Sequence, residues 1–334
     1  MRPHWIILAI LTGGLTAGSD VRACNVPVFR YALERWHPDA YEAVIFHKGP
    51  ATDELKALAK QIGAAAENVK APANVEPVLV DVDKEGDTVL RKLWLRQKDA
   101  PLPWLVLRYP GSGAKEPFAW AGKPTADVLK ALTHSPARQE ISQRLMKGHS
   151  VVWVVVESGD KAQDDAAAAR LEETLKKLEK TIKLPTDADI KKEPTADDKL
   201  LSELPLKVSF SVLRVSRTDP AEKLLVAMLV NSDEEVAERS KEPIMFPIFG
   251  RGHALDAFVG KGINADTVSD AASFLCAACS CTVKRLNPGF DLVMAVDWDA
   301  VLGGRERPPV PTDKPGKPVP IPPGIKPTPK PAPR

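Results

Sequence analysis

The chain has little of what marks nucleotide-binding and nucleic-acid-binding proteins. No stretch fits the phosphate-binding pattern G-x-x-x-x-G-K-[ST]. The glycine-rich turns at 250–252 and 260–262 fit no nucleotide motif either, and the first does not open a helix as a dinucleotide fingerprint must. The net charge is only +2 over 334 residues, and the basic excess lies in the C-terminal segment. The remaining body is slightly acidic, which argues against a nucleic-acid-binding domain with its usual basic face.

Cysteine is also scarce, with four residues in the whole chain. A zinc ribbon needs two separated pairs of ligands, and the chain has no second C-x-x-C to complete one. Beyond the N-terminus no apolar run reaches the roughly 20 residues that a membrane-spanning helix needs.

What the chain does have is a secretory pattern in residues 1–23. A basic start is followed by an apolar run from Trp5 to Leu15 and by Val-Arg-Ala at 21–23, directly before Cys24. We therefore predict an exported protein, in the periplasm, in the cell envelope or secreted. A cysteine at this point could also carry a lipid anchor, but Arg22 stands where a lipobox has a small or apolar residue, so plain cleavage after Ala23 is favoured.

The C-terminal segment 305–334 holds 12 of the 31 prolines, and it has seven basic and two acidic side chains. It lacks the apolar side chains of a core, and its composition favours an extended polyproline conformation. The sequence predicts a disordered Pro/Lys-rich tail. Contact with the envelope or cell wall is one role for it, and a terminus without a specific partner is the other.

Between these termini the chain alternates strand and helix patterns. In the first half they fall at 41–47 (strand), 55–62 (helix), 77–83 (strand), 89–95 (helix), 104–109 (strand), 118–120 (strand) and from 125 (helix). This β-α-β-α-β-β-α order, with Pro103 directly before the third strand, resembles the thioredoxin fold over residues 40–146. The resemblance implies a cis peptide bond between Leu102 and Pro103.

The resemblance also implies that this unit is inactive in redox chemistry. Thioredoxins carry their C-x-x-C between the first strand and the first helix, where this chain has K-G-P-A-T-D at 48–53 and no thiol.

The second half repeats this alternation of strands and helices, and Pro247, near the start of a predicted strand, is a second candidate cis-proline. The predicted elements are strands at 150–156, 207–215, 224–231, 245–249 and 291–298 and helices at 171–182 and from 266, with a polar insertion at 183–204. We therefore predict an α/β protein of two tandem thioredoxin-like units. The predicted divisions are a signal peptide at 1–23, unit 1 at 24–148, unit 2 at 149–304 and the tail at 305–334.

Three of the cysteines cluster as Cys276-Ala-Ala-Cys279-Ser-Cys281 at the end of the last predicted helix. In an exported protein the first interpretation is structural disulfides, one of which could tie Cys24 to the cluster. The second is a soft-metal site for copper or zinc. The third is a redox-active pair, which is disfavoured because the pair closes a helix instead of opening one.

Few other residues point to chemistry. Arg251 and His253 are retained as neighbours of the cysteine cluster, whereas the histidines at 37, 47, 134 and 149 are interpreted as surface or boundary residues. Residues 81–87 imitate the front half of a calcium loop, but Lys92 stands where the bidentate glutamate belongs, so turn and helix-cap roles are expected.

No catalytic set emerges from this sequence. We expect an exported, non-catalytic envelope protein that binds or scaffolds, with structural cysteines and no cofactor. The alternative is a thiol-redox or copper- or zinc-handling protein that uses the cysteine cluster.

Overall fold

The computed structural model describes residues 25–84, 86–186, 199–278 and 284–303. The signal peptide, the tail, Cys24, Cys279, Cys281 and most of the polar insertion lie outside these residues. Within the described ranges, no helix is both long enough and apolar enough to cross a membrane.

The first unit contains the predicted strands and helices, and three of its helices begin after a residue that caps them. Side-chain oxygens of Thr52, Asp87 and Thr125 accept hydrogen bonds from backbone N–H groups in the first turns of three helices. In chain order the elements are β1 (Tyr41–His47), α2 (Asp53–Ala66), β2 (Val75–Asp81), α3 (Thr88–Leu95), β3 (Trp104–Arg108), β4 (Trp120–Gly122) and α4 (Ala126–Thr133).

The first sheet has the order β2-β1-β3-β4. Strands β1 and β2 are parallel, whereas β3 is antiparallel to both β1 and β4. The peptide bond between Leu102 and Pro103, just before β3, is cis. This strand order, with α3 on one face and α2 and α4 on the other, is thioredoxin-like.

The second unit follows the same plan after a linking helix, α5 (Pro136–Met146). Its elements are β5 (Val151–Val156), α6 (Lys161–Thr181), β6 (Phe210–Val215), α7 (Lys223–Val230), α8 (Glu234–Glu238), β7 (Ile244–Phe249), β8 (His253–Ala254), β9 (Phe258–Val259), α9 (Ala265–Cys276) and β10 (Phe290–Asp291). The sheet order is β10-β8-β7-β5-β6, and β9 also pairs with β7. Parallel β5 and β6 and antiparallel β5 and β7 reproduce the first sheet.

Two predicted strands of this unit are wrong. Residues 224–231 form most of helix α7, because an apolar run of this length fits a buried helix as well as a strand, and its Leu, Ala and Met are good helix formers. Residues 291–298 form a strand only at Asp291, after which Leu292 donates its N–H to Gly252 and Val296 donates its N–H to Pro72. That segment bonds to loops and not to a strand.

The prediction of a second cis-proline at Pro247 is also wrong. Among the described residues the one cis peptide bond is that before Pro103. Pro247 lies inside β7, where it pairs with Trp153, and the proline directly before β7 is Pro243.

The two sheets share one core. Side chains from facing sides of both sheets pack with α4, α5 and α7 between them, and include Ile45, Leu105, Val154 and Phe246, which are all fully buried. The far side of the second sheet has its own large core under α6 and α9.

The N-terminal helix α1 (Val28–Arg35) joins this second core, although the sequence groups it with the first unit. Its start is fixed by a bond from the Val28 N–H to the Ala277 carbonyl and by an antiparallel bridge between Pro27 and Ala278.

Candidate ligand groove in the first unit

Cys276 is the one cysteine that the structure describes, and it is the last residue of α9. Its side chain is buried and forms no disulfide with another described residue. Burial raises the pKa of the thiol to about 12, so the thiolate needed for redox chemistry or metal binding is disfavoured there. The helix end gives no help, because its dipole is negative.

Arg251 supports the packing of α1. Its Nε donates to the Leu33 carbonyl at 2.7 Å, and Nη1 lies 2.8 Å from a carboxylate oxygen of Asp299. The first of these bonds satisfies a carbonyl in the last turn of the helix, where carbonyls have no partner within the helix. Arg251 therefore has a structural role that its sequence position did not indicate.

His253 is engaged through both ring nitrogens. Nδ1 lies 2.8 Å from Asp291 Oδ1, and Nε2 lies 3.0 Å from the Pro288 carbonyl. Although burial alone would raise the pKa of Asp291, Lys284 and His253 hold it down at about 2. Among the described residues no three His, Cys, Asp or Glu side chains are grouped to hold a metal ion.

The loops that would carry a thioredoxin active site contain no cysteine in either unit. Residues 48–52 link β1 to α2, and residues 157–160 link β5 to α6. In the second unit this loop is closed by the buried Asp164, whose Oδ1 accepts the Ser158 N–H at 2.7 Å and whose Oδ2 accepts the Gly159 N–H at 3.1 Å.

In the first unit the corresponding region opens into a groove of about 450 Å³. It runs along the C-terminal half of β2 and the side of α3 that carries Leu90, Arg91 and Trp94, and we call it the β2 groove. Its lining comprises residues 78–82 of β2 together with His47, Ala51, Lys84, Gly86, Asp87, Leu90, Arg91 and Trp94. It lies at the carboxyl ends of the parallel strands β1 and β2, where open α/β sheets bind ligands.

His47 is the polar residue that sequence reasoning missed. It ends β1, opposite Asp81 in the strand register, and it is only 7% exposed, which corrects its interpretation as a surface or boundary residue. Its Nδ1 is buried and makes no hydrogen bond within the part of the chain described. A buried polar atom without a partner costs free energy, and at the side of a groove this nitrogen is a candidate to bond a polar group of a ligand.

The carboxylates of the groove are already occupied by the chain itself. Asp81 Oδ1 accepts N–H bonds from Gly49 at 3.0 Å and from Asp83 at 3.2 Å, and these bonds, with Lys84 nearby, lower the pKa of Asp81 against the opposing effect of burial. Asp87 caps α3. This confirms the turn and cap interpretation of residues 81–87.

The unused charge of the groove is cationic. The Arg91 side chain makes no hydrogen bond or ion pair to any other described residue, and it lies beside the apolar wall formed by Val80, Leu90 and Trp94. The Trp94 ring packs on Phe46, with ring centroids 5.2 Å apart, so the wall is anchored in the core. The arrangement suits a ligand with an apolar part and an acidic group.

No family model matches the chain, and no curated protein matches its sequence. Among solved structures it is similar to the zinc-bound form of human ERp44, with 12% identity and a TM-score of 0.21 over 75% of this chain. The match covers 59% of the ERp44 chain. A second match is the first two thioredoxin domains of Saccharomyces cerevisiae Eps1p, with 11% identity and a TM-score of 0.20, over 70% of this chain and 91% of that one. The assignment of two thioredoxin-like units rests on the strand orders given above and not on these matches.

Proposed function

We propose that this is an exported, non-catalytic binding protein, in which the thioredoxin-like units present a ligand groove and the cysteines are structural. The observation that carries this proposal is the absence of a thiol from both β–α loops, 48–52 and 157–160, combined with the open β2 groove. A thioredoxin-like unit without a thiol at that loop has no group at the usual catalytic position to exchange with a disulfide.

Structural cysteines are supported by the pairing at the chain's N-terminal end. The bridge between Pro27 and Ala278 lies three residues after Cys24 and one residue before Cys279. A disulfide between Cys24 and the cluster would fasten the segment that this bridge already holds, and it would constrain the unfolded chain. No resident cofactor is part of this proposal.

The first test is the intact mass of the natively exported protein, alkylated without prior reduction. We expect a chain that begins at Cys24, without lipid and without alkylated thiols. Catalysed reduction of insulin disulfides should not exceed that of a Cys279→Ser variant, with Ser280→Ala as the matched control. Alkylation within 276–281 together with activity that Cys279→Ser abolishes would replace this proposal with thiol handling. Copper or zinc that co-purifies with the protein would replace it with metal handling.

The proposed envelope contact through the tail has its own test. A chain ending at residue 304 should co-sediment less with anionic cell-wall material than the full chain does, because seven basic side chains are removed. Equal co-sedimentation at low salt would remove the tail from the proposal.

A further inference from the structure

Strand β2 is the outer strand of the first sheet, and no other described strand pairs with its free edge. Two backbone hydrogen bonds fix which of its residues face β1: the Tyr41 N–H donates to the Asn74 carbonyl, and the Val82 N–H donates to the His47 carbonyl. Alternate residues of a strand bond to the same neighbour. Residues 76, 78, 80 and 82 therefore bond to β1, and residues 77, 79 and 81 direct their backbone groups outward.

Leu79 is the centre of this outward row, and both its N–H and its carbonyl face away from β1. Leu79 is 37% exposed, which is unusual for a large apolar residue in this protein. Pro77 lies in the same outward register, so its missing N–H removes no bond from the sheet. The Asp81 carbonyl accepts the Lys84 N–H at 3.2 Å, which leaves the Asp81 N–H in the row.

The outward backbone groups of β2 lie at the β2 groove, because five consecutive residues of this edge, 78–82, line it. An edge of this kind pairs with an extended chain, and the side-chain pockets beside it select the sequence. The pockets here are the apolar surface of Leu90 and Trp94 and the guanidinium of Arg91. Asp81 is ion-paired with Lys84 at 3.5 Å and Asp87 caps α3, whereas the Arg91 side chain has no ion-pair partner among the described residues, so Arg91 is the charge that favours an acidic side chain here.

We infer that the β2 groove binds an extended segment of a protein partner by strand addition, with an apolar side chain against Leu90 and Trp94 and an acidic side chain at Arg91. The inference rests on the proposed binding function and names its ligand class. His47, at the end of the groove, supplies a ring nitrogen for a polar group of the segment.

The probe is a library of random seven-residue peptides displayed on phage and selected against the full chain. We expect enriched peptides to alternate apolar and polar residues and to contain Asp or Glu. The best peptide is then synthesised with a fluorescent label, and its Kd is measured by anisotropy. Failure to enrich any peptide, or enrichment without acidic residues, overturns the inference.

The decisive variant is Leu79→Pro, which removes an outward N–H without removing a bond between β1 and β2. Binding should weaken about tenfold, the equivalent of about 1.4 kcal/mol. Leu79→Ala is the matched control, because it keeps the N–H, and its affinity should exceed that of Leu79→Pro. Circular dichroism checks that both variants fold. Equal affinities for Leu79→Pro and Leu79→Ala would exclude strand addition.

The charge preference is tested with Arg91→Glu. A repeated selection against this variant should enrich peptides with Lys or Arg in place of Asp or Glu, whereas Lys92→Glu, on the same helix, should leave the original preference unchanged. An unchanged preference with Arg91→Glu overturns the role of Arg91.

A second copy of the chain is the competing occupant of the edge. Sedimentation velocity that shows a dimer, dissociated by Leu79→Pro, would assign the groove to self-association and overturn the inference. The thiol measurements above are independent of these results. Absence of peptide binding therefore refutes the strand-addition inference alone, and thiol activity refutes the proposed function alone.

Discussion

The two thioredoxin-like units differ at the carboxyl ends of their parallel strands. Phe46 pairs with Trp104, the first residue of β3, and Val156 pairs with Ile244, the first residue of β7, so the residues that follow, His47 and Glu157, occupy equivalent positions. His47 Nδ1 lacks a partner within the described ranges, whereas Glu157 Oε1 lies 2.7 Å from Arg214 Nε.

The second unit is closed at this position by side chains of its own. Arg217 donates from Nε to the Glu157 carbonyl at 2.9 Å, and Asp164 closes the adjoining loop. In the first unit one carboxylate bond to this loop is present, from the Gly49 N–H to Asp81 Oδ1, but the β2 groove stays open beside it. Its far sheet face carries a small core of Val44, Phe46, Leu93 and Val106, whereas the far face of the second sheet carries many large buried side chains. The same topology therefore provides a rigid scaffold in one unit and an accessible groove in the other.

The largest expected effect compares one tryptophan from each unit. Trp153 is fully buried and contacts Phe210 edge to face, so Trp153→Ala should lower the free energy of unfolding by about 3–5 kcal/mol. Trp94→Ala should cost less than half of that, because one side of the ring already faces the groove. Urea unfolding of both variants measures the difference, and equal losses would mean that the first unit is packed as tightly as the second.

The next comparison is between the two loop carboxylates. Asp164→Ala should lower the free energy of unfolding by about 2 kcal/mol, because it removes a buried carboxylate that accepts the N–H groups of both Ser158 and Gly159. Asp81→Ala should cost less, since water in the groove can reach the N–H groups that it releases. Thermal unfolding at one pH compares the two variants, and a larger loss for Asp81→Ala would show that the first loop is the closed one.

Acid should weaken the link between the units. Asp291 accepts the Asp39 N–H through its carboxylate and the Tyr41 hydroxyl through its carbonyl. Its folded pKa of about 2 lies below the ordinary value, so its stabilisation is complete above about pH 4 and is lost as the pH falls toward 2. The loss should be about 2 kcal/mol. Unfolding free energies from pH 6 to pH 2 measure it, and Asp291→Asn should flatten that decline; an equally steep decline would assign the acid sensitivity to other groups.

The smallest effect should differ in sign between the units. His47→Leu should raise the free energy of unfolding by up to about 1 kcal/mol, because it removes a buried nitrogen without a partner. Glu157→Leu should lower it by up to about 1 kcal/mol, because it removes a partly exposed ion pair with Arg214. Chemical denaturation resolves both changes, and destabilisation by His47→Leu would mean that His47 has a structural partner.

The local patterns of the sequence were enough for much of the fold. The strand at 41–47, the caps at Thr52 and Asp87 and the proline before β3 depend on near neighbours, so they can be read from the chain directly. The conformation of residues 224–231 could not be read in this way, because an apolar segment of that length is compatible with both helix and strand. Only its position between the two sheets decides that it is a helix.

For the candidate site, the sequence by itself determined which group is missing. Neither β–α loop carries a thiol, and the way the chain folds cannot place one within those loops. Only the tertiary structure decided that His47 is buried beside a groove and that Arg251 and His253 bond to α1 and Asp291. It also decided that the Arg91 side chain has no partner among the described residues. The physical reason is that burial and hydrogen bonding depend on residues distant in the chain, which periodicity and spacing do not encode.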